Sequence, residues 1–69
     1  MDIGRRIREL REERGLHQED LAARSGIAPN TVSRIERGDR VPSTTTVEKL
    51  ADGLGVRPGA LFEDPLGVA

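Results

Sequence analysis

The stretch that decides the fold is QEDLAARSGIAPNTVSRIER, residues 18–37. Leu21 and Ala22 mark the apolar side of a short segment with helical spacing, about residues 18–25, that stops before Gly26. A glycine just past a helix supplies the left-handed residue that closes it. Pro29 then stands in the first turn of a further segment, about residues 29–37. Proline is tolerated there because that N–H has no partner inside the helix. Val32 and Ile35 face inward from this segment, and Ile27, between the two, is predicted to tuck into the core. Two short helices joined by about three residues containing a glycine form a helix-turn-helix unit. The second helix of such a unit can lie in the major groove of DNA.

Outward from this unit the same signals recur. Ile3, Ile7 and Leu10 follow i, i+4, i+7 spacing with Asp2 as cap, which predicts a helix over about 3–14 before Gly15. After Gly38, Pro42 and Ser43 begin another helix, with Ser43 as cap, Val47, Leu50, Ala51 and Leu54 as its apolar stripe, and Gly55 as its stop. Pro58 opens a short last helix containing Leu61 and Phe62. Residues 64–69, with Pro65 and Gly67, are predicted to form a loose tail behind a single domain at 1–63. The expected fold class is all-α, a compact bundle of about five short helices. Its predicted core is Ile7, Leu10, Leu21, Ile27, Val32, Ile35, Leu50, Leu54 and Leu61.

Composition narrows the function. At 69 residues the chain has room for one domain. Apolar content of 35% with a net charge of only −1 favours a folded chain over a disordered one. The absence of cysteine excludes a disulfide scaffold, a zinc finger and a thiol nucleophile. A single histidine, His17, argues against a histidine-based metal site and against any nucleophile–base–orienter set. No phosphate-cradling glycine loop is present either. The expectation is therefore a non-enzyme with no metal and no cofactor. The longest apolar run is three residues, as in Leu21–Ala23, so no membrane partner is expected. The N-terminus lacks the apolar stretch of a signal peptide, which places the chain in the cytoplasm. Residues 1–40 carry nine arginines against eight acids, while 41–69 carry two basic residues against four acids. That bias has the sign a nucleic-acid partner requires, but it is small.

Asn30, Ser33, Arg34 and Arg37 share one face, opposite Val32 and Ile35. Arginine can pair bidentately with guanine and asparagine with adenine. Thr31 is placed to meet a thymine methyl or a phosphate. Arg37 and Arg40 fall at the helix end and in the next loop, near where phosphates would pass. On periodicity alone, a merely solvated face is the commoner explanation of such a pattern.

Together these residues resemble the phage-repressor-like (Cro/CI-type, XRE) helix-turn-helix family of bacterial DNA-binding proteins. The match runs from about residue 3 to 63. It is carried by Ile7, Leu10, Arg11, Gly15, Leu16, Gln18, Leu21, Ala22, Gly26, Ile27, Val32, Ile35, Glu36, Gly38, Pro42, Leu50, Ala51, Leu54, Val56 and Leu61-Phe62. The resemblance implies a lambda-repressor-like fold and sequence-specific binding of double-stranded DNA by a repressor-like transcriptional regulator. It puts Pro29, Asn30 and Arg34 at base-facing positions, to which the shared face adds Ser33. Gln18 would bond a phosphate from the start of its helix, with Thr31, Arg37 and Arg40 as the other phosphate candidates. Arg11 and Glu36 resemble a pair that ties the first helix to the third. An antitoxin-like module of the same fold, contacting a partner protein, is the second function considered. One such helix reads only a few base pairs, so a homodimer is expected. Leu61, Leu66 and Val68 are the interface candidates, and Phe62 is assigned mainly to the core.

Several positions depart from the family pattern. Ala28 occupies the cap of the third helix, where losing a Ser or Thr costs about 0.5–2 kcal/mol. His17 replaces a capping hydroxyl on the second helix, as an exposed residue rather than a sensor. Gly53 lies inside the fourth helix, at about 1 kcal/mol against alanine. Pro29 removes one base-reading side chain, leaving more to DNA shape. Glu9, Glu12 and Glu13 read as a charged outer face paired with neighbouring arginines, not as a metal site.

Overall fold

Asp2 and Ser43 each accept a hydrogen bond from the amide three residues on, at 3.2 Å, and so begin two of the helices. The computed structural model describes residues 2–62. Its elements are α1 (Ile3–Glu13), α2 (Gln18–Ser25), α3 (Pro29–Glu36), α4 (Thr44–Leu54) and a 3₁₀ helix (Pro58–Phe62). The last of the five expected helices is thus a single 3₁₀ segment. α1 and α3 stop one residue short of their expected ends, with Arg14 and Arg37 as caps. The tail expected at 64–69, with Leu66 and Val68, lies outside the described residues.

Start signals differ between the two helices of the central unit. At α2, Asp20 reaches back to accept from the His17 amide at 2.8 Å. At α3, Ala28 gives no side-chain cap, and Pro29 opens the helix. The orphan amides of Thr31 and Val32 bond the Ala28 carbonyl at 3.0 and 3.2 Å. Gly26, at φ 70°, turns the chain between them.

The core consists of Ile7, Leu10, Leu21, Ala22, Val32, Ile35, Val47, Leu50, Ala51, Leu54 and Leu61. α2 packs on both α3 and α4, while α1 crosses α3 and meets the 3₁₀ helix. Arg6 Nε donates to the Ala60 carbonyl at 3.2 Å and pins that last segment to α1. Each large side chain fully withdrawn from water, such as Ile7 or Leu50, contributes about 1.5–3 kcal/mol. Ile27 is only partly buried and packs against the core from outside.

The last helix corrects two expectations. Leu61 is 0% exposed and is a core residue, so it is unavailable as an interface contact. Phe62 is 55% exposed and is not a core residue. Neighbours in a 3₁₀ turn point about 120° apart, so burying one turns the other outward.

Two helix-interior glycines are explained by close approach. A Cβ on Gly53 would run into Ser25 Oγ and lie 3.2 Å from Leu21 Cδ1, so glycine lets α4 press on α2. A Cβ on Gly4 would run into the Ile35 carbonyl oxygen, where α1 crosses the end of α3. The propensity cost of Gly53 is thus offset by helix packing. Ser25 Oγ is buried in the same contact without a hydrogen-bond partner among the described residues.

Candidate nucleic-acid interface

α3 turns Val32 and Ile35 into the core and presents Pro29, Asn30 and Arg34 to solvent. Thr31 and Ser33 sit between, partly buried. The helix is held from beneath by Glu36, whose side chain is 3% exposed. Arg11 donates to it twice, Nε to Oε2 at 2.7 Å and Nη2 to Oε1 at 3.0 Å. The third nitrogen, Nη1, donates to the Leu16 carbonyl at 2.7 Å. One guanidinium therefore joins α1, the turn before α2, and the end of α3. The hydrogen bond to Glu36 raises the Arg11 pKa above its ordinary value, against the opposing effect of burial.

Gln18, the expected phosphate contact at the start of α2, is drawn into the same network. Its Nε2 donates to Glu36 Oε1 at 3.0 Å. A primary amide carries two N–H donors, so this bond orients the group and leaves a second donor. Sequence reasoning missed this link, because nothing in the local pattern joins residues 18 apart.

The loop after α3 is closed by Gly38 at φ 80° and by the Asp39 amide donating to the Arg34 carbonyl at 2.9 Å. This geometry brings Asp39 Oδ2 to 3.1 Å from Arg37 Nε, while Arg37 Nη1 donates to Ser33 Oγ at 3.2 Å. Ser33 and Arg37, expected to read bases and bind phosphate, are thus engaged with each other. Arg34 and Arg40 are exposed, and their side chains have no hydrogen-bond or ion-pair partner among the described residues. With Glu36 neutralised by Arg11, the face carries Arg34, Arg37 and Arg40 against Asp39, and so is positive despite the acidic chain. Along α1, Arg5–Glu9 and Arg8–Glu12 pair at 3.9 and 3.3 Å. No helix among the described residues is long and apolar enough to cross a membrane.

A short recognition helix on a two-helix unit, polar outward and anchored inward, defines a helix-turn-helix protein. The helix-turn-helix family model matches residues 7–61, and the chain belongs to that family. The cryptic phage CTXphi transcriptional repressor RstR of Vibrio cholerae is 44% identical over 59 residues, which is 86% of this chain and 53% of the repressor. An uncharacterized HTH-type transcriptional regulator of Mycobacterium tuberculosis is 46% identical over 56 residues, 81% of this chain but 22% of the regulator. This chain therefore spans only part of the length of these relatives. The restriction-modification controller protein C.AhdI from Aeromonas hydrophila superimposes with a TM-score of 0.86 at 44% identity, covering 88% of this chain and 92% of the controller.

Proposed function

We propose that this chain is the DNA-binding domain of a repressor-like bacterial transcriptional regulator, with α3 in the major groove of double-stranded DNA. The observation that carries this is the anchored α3, whose outward face exposes Asn30 and Arg34 without side-chain partners among the described residues, while Arg11 and Gln18 fix its end through Glu36. Asn30 and Arg34 are the base readers, with Pro29 and Ser33 beside them. Gln18, Thr31, Arg37 and Arg40 line the path of the phosphates. Base contacts specify and phosphate contacts position. In this role the chain binds rather than catalyses, and its place is the cytoplasm.

A homodimer follows from the few base pairs one helix covers. A mainly apolar groove of about 320 Å³ lies directly after the α3 loop, lined by Val41, Pro42, Pro58 and Phe62 among others, with Thr44 and Glu48 as its polar members. Val41 is 87% exposed there. A second copy seated on this groove is the proposed dimer contact, and a two-fold dimer of this class reads half-sites about one helical turn, roughly 34 Å, apart. The two exposed apolar side chains also support a second reading, a module that takes a partner protein. Selection from a random duplex pool, with band-shift and sedimentation, tests both. A palindromic site bound by a dimer is the expected result. A monomer on a non-palindromic site would favour the partner protein, and no enrichment at all would overturn DNA reading.

A further inference from the structure

We propose that Asp39 is a counter-charge that holds Arg37 off the phosphate backbone, lowering affinity for DNA of any sequence without lowering discrimination between sequences. The inference rests on the placement of α3 in the major groove.

Its basis is the construction of the α3–α4 loop. The Asp39 amide is fixed on the Arg34 carbonyl at 2.9 Å, and the Gly38 amide on the Ile35 carbonyl at 3.1 Å. Those backbone bonds place Asp39 beside Arg37, and its carboxylate lies 3.1 Å from Arg37 Nε in a pair whose side chains are 59% and 60% exposed. Ser33 Oγ receives Nη1 from the other side at 3.2 Å, so the guanidinium lies back along α3. Arg40, in the same loop, has no such partner among the described residues.

The chemistry then has a definite sign. An arginine neutralising a phosphate releases a condensed counterion, and each such contact adds about 0.9 to the slope of log affinity against log salt. An arginine already paired with a carboxylate releases less, because part of its charge is met within the protein. Because this term is independent of base sequence, removing it raises non-specific and specific affinity together. Such a term sets the overall affinity and its salt dependence, and leaves the ratio between specific and non-specific binding unchanged. Asp39 is thus a positioning residue, acting through Arg37 on the phosphates.

The test is Asp39→Asn in the full chain, measured against a random-sequence duplex pool and against the selected site over a salt series. The variant is expected to bind the random pool about five- to tenfold more tightly at 0.1 M salt, with the slope steeper by about 0.9. The ratio of affinities between matched and singly mismatched sites should not change. In an Arg37→Ala background the same substitution should leave the slope unaltered. Circular dichroism confirms that each variant keeps its helices. An unchanged slope and affinity in Asp39→Asn would overturn the inference. So would a steepening that persists in full without Arg37, since Asp39 would then act on the phosphates directly. A parent chain that binds its selected site while the variant behaves identically refutes only the role of Asp39. A parent that binds no duplex refutes the DNA reading itself, and this role with it.

Discussion

Arg11 and Glu36, 25 residues apart in the chain, close a two-pronged ion pair with Nε–Oε2 at 2.7 Å and Nη2–Oε1 at 3.0 Å. Their side chains are 11% and 3% exposed, so the pair lies beyond the screening that makes surface bridges weak. Removing one partner of a buried pair strands the other charge and costs about 3–5 kcal/mol. Glu36→Gln should therefore lower the thermal midpoint sharply. Stability near 0.05–0.15 kcal/mol per residue leaves a chain this short little reserve. DNA affinity should fall too, since α3 and Gln18 lose a common anchor. Because the Arg11 pKa is raised, its contribution is fully present below the ordinary arginine value and is lost only as pH rises through the folded one. Alkaline titration short of that range should leave the pair intact. A variant as stable as the parent in thermal unfolding would reduce the pair to a surface contact.

Gly53 gives opposite signs from propensity and from packing. Helix propensity alone would have Gly53→Ala gain about 1 kcal/mol. The clash an added Cβ would make with Ser25 Oγ reverses this, and the expected outcome is a loss of about 1–3 kcal/mol in urea unfolding. Ser25→Ala removes a buried hydroxyl without a partner and should stabilise the chain by about 1 kcal/mol. Combining the two should relieve part of the Gly53→Ala cost, with a coupling of about 0.5–3 kcal/mol. Strict additivity would show that α4 shifts freely over α2.

Arg34 and Arg40 are both exposed and without side-chain partners among the described residues, yet they should fail differently. Arg34→Ala is expected to cost about 1–3 kcal/mol on the selected site and to relax the preference at one base pair, a guanine. Arg40→Ala should weaken all sequences alike and flatten the salt slope by about one unit. Gln18→Ala should also act uniformly, with little change of slope, because glutamine carries no charge. Binding to matched and mismatched duplexes over a salt series decides this. Equal loss on every sequence for Arg34→Ala would take α3 out of the groove.

Val41 and Phe62 bear on assembly rather than on the fold. Both are largely exposed, so Val41→Asp and Phe62→Asp should leave thermal stability within about 0.5 kcal/mol of the parent. Each should shift sedimentation toward the monomer and weaken binding to a two-half-site duplex far more than to a single half-site. An unchanged dimer would place the interface elsewhere.

The helices and their ends were legible in the sequence because their causes are local. Asp2 and Ser43 cap amides three residues away, Gly26 and Gly55 close the helices they follow, and Pro29 opens α3 without a side-chain cap. The outward placement of Asn30 and Arg34 follows in the same way, since period alone sets them opposite Val32 and Ile35. Only tertiary structure decided between Leu61 and Phe62, both apolar and adjacent in a turn too short for a periodic stripe. It also decided that Gly53 is a contact with Ser25 rather than a defect, and that Gln18 turns one donor to Glu36. Each of these depends on which groups from distant elements meet once the core closes. A single chain specifies such meetings through packing and charge pairing, and no spacing along the sequence displays them.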